Sequence, residues 1–421
     1  RSAQMKSDEE LVEDVNHLMP CRDWQTLDNP LHAFKRVAKG ARIAKPKHIF
    51  LIVGESIPQW SMDPLYMNFN ICPGLREFAA DVHTACVPNF LPAGNVSRPS
   101  ISSLISGIYD SGMELNEKEI FWNNTLPTAL AAQIKRLGYQ TIYWYGGNSS
   151  SGNFTKYGKA QGFDRIENAT EFCGPQAPQT WLGVYDHVFL EEAAKCIVAM
   201  DEPTFHFVYT TTNHGPYKLE DKYLDFDARR DLPGVGDDIL NRKDGNKGLA
   251  TYKYCDKAIF DFVDAMKAKF PDSLFIVTGD HSNLFGEFNN TSFLHRDYTM
   301  REIRNTVFYM QHPELSQTSL PASIGTHLSI MPTIIEAIAP KGFEYYAAVP
   351  SAFDEQPDVH VTPYQWITSD MVGDVLGDYG QYQTYTAEPS EYIRPIDNHA
   401  QDAEYWRSLS AWMMKFYANV Q

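Results

Sequence analysis

No apolar run in the 421 residues approaches the roughly 20 that a membrane-spanning helix needs, so none is expected within them. Basic tracts are also missing. Lys and Arg number 36 against 53 Asp and Glu, and the formal charge of −17 argues against nucleic acid or an anionic membrane as an electrostatic partner. Cysteine is scarce: Cys21, Cys72, Cys86, Cys173, Cys196 and Cys255 include no CxxC pair and no zinc-ligand spacing. Their even number permits disulfides in an oxidising compartment, with Cys72 and Cys86 placed to close a loop; ordinary thiols are the alternative. Repeats and low-complexity tracts are absent too. What is present is 43% hydrophobic and 13% aromatic content, enough to bury a substantial core.

That content is organised. Runs of β-branched and aromatic residues without alternation, at 48–53, 141–145, 205–211 and 274–278, suit strands covered on both faces. Helical stretches at 128–137 and 249–270 separate them, and the second carries Tyr252, Cys255, Ile259, Phe262 and Met266 at helical spacing as a core stripe. Strands separated by helices imply an α/β fold, a doubly wound and mainly parallel sheet with helices on both faces. Residues 1–45 are charged and mixed and read as an N-terminal arm or linker. These strands and helices fall within residues 46–346, the expected main domain, and from 347 to 421 the composition turns to Pro, Asp, Gln and Tyr, a smaller C-terminal subdomain.

Two strands end in carboxylates. The first closes as Gly54-Glu55-Ser56 and the last as Gly279-Asp280-His281. Open α/β sheets place their sites beyond the carboxyl ends of strands, and Glu55, Asp280 and His281 are hard-to-borderline donors suited to a divalent cation. A hydroxyl-rich loop, from Pro92 through Asn95 and Ser97 to Ser100, enters a helix. A hydroxyl there is either a cap or a nucleophile placed where a phosphate or sulfate is welcome and a metal can lower the alcohol's pKa. His214 follows the strand at 205–211, and His295 follows Asp280 and His281. The polar loop 146–154 lies at another strand end, and 217–248 is an exposed excursion well placed to border a substrate.

This order of motifs, strand-Gly-Glu-Ser, hydroxyl loop, strand-x-His-Gly-Pro, strand-Gly-Asp-His, then Leu-His, resembles the alkaline phosphatase superfamily. Within it the chain is most similar to the sulfatase-like branch of lipoteichoic acid synthases and phosphoglycerol and phosphoethanolamine transferases. The resemblance implies Glu55, Ser97, Asp280 and His281 as ligands of one divalent metal, zinc or manganese. It makes Ser97 the nucleophile as well, with His214 and His295 holding phosphoryl oxygens or a second zinc. The transferases usually carry threonine as nucleophile and this loop has none; Asn95 and Ser100 are rivals of Ser97 because the loop can be aligned in more than one register. Sulfatases carry an Arg four residues after the residue converted to formylglycine; here that position is Ile101, which favours an unmodified serine.

The implied reaction moves a phosphoglycerol or phosphoethanolamine head group from a phospholipid donor to a glycan or lipid acceptor through a covalent phospho-serine. A sulfatase or phosphodiesterase of the same fold, and an inactive lipid- or glycan-binding relative, are the alternatives. The chain begins with Arg rather than Met. The resemblance therefore leads us to expect an extracytoplasmic, periplasmic or cell-surface, monomeric ectodomain, tethered to a membrane by a preceding segment.

Overall fold

The computed structural model describes residues 6–285, 298–376, 397 and 399–419. Its central sheet has seven strands: β1 (His48–Gly54), β2 (Thr84–Cys86), β3 (Gln140–Tyr145), β4 (Arg165–Asn168), β5 (Thr204–Tyr209), β6 (Leu274–Gly279) and β7 (Phe308–Gln311). They lie in the order β2-β7-β6-β1-β5-β3-β4. Only β7 runs against the rest, paired antiparallel to both β6 and β2.

Every residue of β1, β5 and β6 is buried, which explains the unbroken apolar runs. Alternate side chains of β1 serve two cores. Ile49, Leu51 and Val53 pack on one face with α1 (Asp8–Leu18), α3 (Ser97–Ser106), α6 (Ile330–Ile338) and α7 (Ala400–Phe416). Phe50 and Ile52 pack on the other with α2 (Pro73–Ala80), α4 (Asp186–Ile197) and α5 (Lys243–Lys269). The expected doubly wound architecture is therefore present. Helix α5 starts before the expected 249, and its stripe of Tyr252, Ile259, Phe262 and Met266 lies in the second core.

The segments flanking the sheet fold onto it. Lys35–Val37 pairs antiparallel with Glu344–Tyr346, and Trp24 of the N-terminal region meets Trp412 of α7 edge to face at 5.3 Å. Near the C-terminus, His360–Val361, Gln365–Ile367 and Val372–Asp374 form a small antiparallel sheet. All six cysteines are free thiols; Cys72 is not joined to Cys86 and donates instead to the Ser61 carbonyl at 3.7 Å. Among the described residues no helix is long and apolar enough to cross a membrane.

Register places the site. Val53 of β1 is opposite both Tyr209 of β5 and Thr278 of β6, and Gly54 is opposite Gly279. Whatever follows these three strands must therefore converge.

Candidate active site and metal centre

Glycine is required where the strands end. A Cβ on Gly279 would lie 2.4 Å from Thr306 Oγ1 and 2.5 Å from the Ile57 carbonyl, so only hydrogen fits between β6 and the turn after β1. This close contact brings Glu55 and Asp280 side by side. Ser56, in the left-handed region at φ 56°, donates its N–H to Asp280 Oδ1 at 2.8 Å and its hydroxyl to Glu55 Oε1 at 2.9 Å. Asn213 ties the turn after β5 to the same place, its amide donating to the carbonyls of Glu55 and Ser56.

One donor atom from each of Glu55, Asp280 and His281 lies within 4.8 Å of the others. His281 Nδ1–H donates to the Ser282 carbonyl at 2.7 Å, which leaves Nε2 facing Glu55 Oε1 at 3.3 Å and Asp280 Oδ2 at 3.5 Å. A nitrogen lone pair cannot face two carboxylates without a positive charge between them. A proton serves: burial alone would lower the His281 imidazole, but Asp280 and Glu55 raise it to about 10. Burial would raise Glu55, yet its hydrogen bond to His281 and that residue's charge hold it below the usual carboxylate range. Asp280 is pushed up by burial and then by Glu55. A divalent cation meets the same demand with the same atoms. Two buried carboxylates, an oriented imidazole and an adjacent hydroxyl form a donor set that fits zinc or manganese.

Ser97 supplies that hydroxyl. It is the first residue of α3, and its Oγ lies 3.1 Å from Glu55 Oε2 and 3.4 Å from His281 Nε2, with no capping bond to its own helix. Its rival Ser100 is engaged elsewhere. The Ser100 hydroxyl donates to the Gly94 carbonyl at 2.9 Å and accepts the Gly94 N–H at 3.1 Å, pinning the loop. Asn95 borders the site with a buried, unpartnered carbonyl oxygen.

A cleft of about 680 Å³ opens over the cluster, lined among others by Glu55, Asn95, His214, Lys218, Lys247 and His281. His214 Nδ1–H donates to the Gly215 carbonyl at 2.6 Å, fixing its ring. His295 lies outside the described residues, and with it the expected second-zinc pair. The loop 146–154 does not line the cleft, whereas Lys218 and Lys247 bring the 217–248 excursion to its edge.

Sequence reasoning missed two residues. Tyr209, the last residue of β5, has its hydroxyl 2.8 Å from Glu55 Oε2 and 2.9 Å from Asp280 Oδ2, one proton shared by both carboxylates. A phenol ending the strand next to a carboxylate-bearing strand was the available signal. His327 accepts the Ala93 N–H at Nδ1 and donates from Nε2 to the Gly279 carbonyl, linking the Ser97 loop to the Asp280 strand. Nothing local marked it.

A model of the sulfatase family matches residues 47–338. A lipoteichoic acid synthase of Staphylococcus aureus is 22% identical over 392 residues, covering 90% of this chain and 59% of the relative. The chain spans about half the length of the curated relatives it matches. Among solved structures, the lipoteichoic acid synthase LtaP from Listeria monocytogenes superposes with a TM-score of 0.71 at 13% identity, covering 97% of this chain and 98% of that one. The C-terminal periplasmic domain of EcEptC from Escherichia coli, in complex with zinc, gives 0.55 at 16% identity over 79% and 96%.

Proposed function

Because the chain belongs to the sulfatase family, whose enzymes act on phosphoryl and sulfuryl esters, we propose that it is a metal-dependent transferase using Ser97 as nucleophile. In this reading a phosphoglycerol or phosphoethanolamine head group passes from a phospholipid to an acceptor hydroxyl. The observation that carries it is the Ser97 hydroxyl, 3.1 Å from Glu55 Oε2 and 3.4 Å from His281 Nε2, two residues that line a cleft bordered also by Lys218 and Lys247.

A divalent cation held by Glu55, Asp280, His281 and Ser97 would lower the alcohol's pKa and draw charge off a phosphoryl oxygen. Ser97 Oγ gives its proton to solvent and bonds to phosphorus in line, and the bond from phosphorus to the lipid alcohol breaks. His214, its Nδ1–H committed to Gly215, acts from the doubly protonated ring and passes the Nε2 proton to that leaving oxygen. The acceptor hydroxyl then attacks phosphorus and gives its proton to the now neutral His214 Nε2, while the bond from phosphorus to Ser97 Oγ breaks and Ser97 regains a proton from solvent. Lys218 and Lys247 attract the anionic donor.

Residues 46–346 carry this chemistry, framed by 1–45 and 347–421. The periplasmic EcEptC domain and the synthase relatives support an extracytoplasmic site of action, a membrane tether and a lipid or glycan acceptor. A hydrolytic sulfatase would need formylglycine at Ser97. Ile101, where sulfatases carry Arg, is an apolar residue 1% exposed and packed in the core. Head-group release from fluorescent phosphatidylglycerol and phosphatidylethanolamine, with sulfate monoesters alongside, tests the reading. Turnover of a phospholipid that Ser97→Ala loses is expected; turnover of sulfate esters alone would overturn it.

A further inference from the structure

Two large apolar side chains stand in solvent beside this polar cleft. Val96, 61% exposed, immediately precedes Ser97. Trp181, 65% exposed, meets the His214 ring edge to face at 5.3 Å. The turn that displays the indole is well braced. Thr180 N–H donates to the Gly183 carbonyl at 2.8 Å, Tyr185 N–H to the Pro178 carbonyl at 3.0 Å, and Leu182 N–H to Thr180 Oγ1 at 3.2 Å. Gly183 is bridged to Gly147 just past the end of β3, and a Cβ there would lie 2.3 Å from the Gly146 carbonyl. An exposed Trp displayed on a backbone braced in this way, its ring against His214, is positioned for contact.

The cleft's carboxylates, imidazoles and lysines suit an anionic head group, and beside them only Pro216 and Tyr217 among its lining residues offer apolar surface. A donor whose phosphorus sits over Ser97 must direct its leaving alcohol out past the rim. The chain's charge of −17 gives no general attraction to an anionic bilayer, so contact with lipid has to come from side chains at the mouth itself. We propose that Trp181 and Val96 form an apolar collar that takes the glycerol-ester end and first methylenes of a lipid donor, making them specificity-determining residues. This rests on the phosphodiester reading of Ser97. Val96 directs the choice toward an acyl chain over a sugar ring, because an isopropyl group offers no face for stacking.

The test compares kcat and KM of the metal-loaded protein on long-chain and dihexanoyl forms of phosphatidylglycerol and phosphatidylethanolamine, the former in mixed micelles. Trp181→Ala is expected to raise the ratio of long-chain to short-chain KM about tenfold, the loss of a few tens of Å² of apolar contact. Trp181→Phe should recover most of that, and Val96→Ser should shift the ratio in the same direction by less. Equal losses on both chain lengths would mean that Trp181 only props His214, and would overturn the collar while leaving the proposed function intact. A wild-type protein that turns over neither chain length, yet cleaves sulfate esters, overturns the phosphodiester reading and the collar together. Both side chains are exposed, so misfolding does not confuse the outcome.

Discussion

His327 accepts the Ala93 N–H at Nδ1, 3.0 Å away, and this bond seats the loop that delivers Ser97. The same ring donates from Nε2 to the Gly279 carbonyl at 2.9 Å, next to Asp280. One neutral imidazole thus ties the loop that carries Ser97 to the strand end that carries Asp280. The parallel pairing of Asn89–Leu91 with Ile324–Thr326 carries it into place.

His327→Ala leaves a buried N–H and a buried carbonyl unpaired. It should cost roughly 2–4 kcal/mol in urea denaturation. Turnover should fall about a hundredfold with little change in KM, because Ser97 shifts relative to Asp280. Normal stability combined with normal kcat would remove His327 from the account.

Tyr209→Phe removes the proton shared by Glu55 and Asp280. Outer hydroxyls of this kind orient metal-binding carboxylates, so affinity for zinc or manganese measured by calorimetry should weaken about 10- to 100-fold. The circular dichroism spectrum should not change, since the phenyl ring still packs between its neighbours.

Chelation should lower the thermal midpoint and abolish turnover, and added metal should restore both. At about a hundredfold excess over Kd the gain is about 2.7 kcal/mol. Asp280→Asn removes a ligand charge, so its midpoint should respond to neither chelator nor metal. A wild-type midpoint equally indifferent would argue against a metal held by these residues.

Trp144 Nε1–H donates to His206 Nδ1 at 3.0 Å, so His206 Nε2 carries the proton donated to His48 Nδ1 at 2.9 Å. Burial, then His48 and Arg165, push His206 well below its ordinary range, and burial with Lys47 pushes His48 to about 4. Both groups bind protons more weakly folded than unfolded, so their neutral forms stabilise the fold above about pH 6.5. That contribution is lost as pH falls through about 4. Urea midpoints measured across this window should decline, and a flat profile would contradict the buried neutral pair.

The central strands and four of the five site residues they and α3 deliver were legible because their signals are local. An unbroken apolar run followed by Gly-Glu or Gly-Asp-His needs no partner to be recognised, and Ser97 opens a helix. The fifth, Tyr209, looked like ordinary strand content. The expected strand at 205–211 ends at Tyr209, because Thr210 Oγ1 accepts the Glu55 N–H and Thr211 and Thr212 donate to buried Asp186. His327 and Trp181 acquire their roles from contacts distant in sequence, which no periodicity encodes. Lys218 and Lys247 were visible only as members of a polar excursion.

The most direct test of the account is the mass of the tryptic peptide bearing Ser97 after the metal-loaded protein meets phospholipid without an acceptor. Ser97 is expected to gain the mass of one head-group phosphate, in an adduct absent from Ser97→Ala and discharged when acceptor is added. An unmodified or formylglycine-bearing Ser97 in a protein that is turning over phospholipid would contradict it.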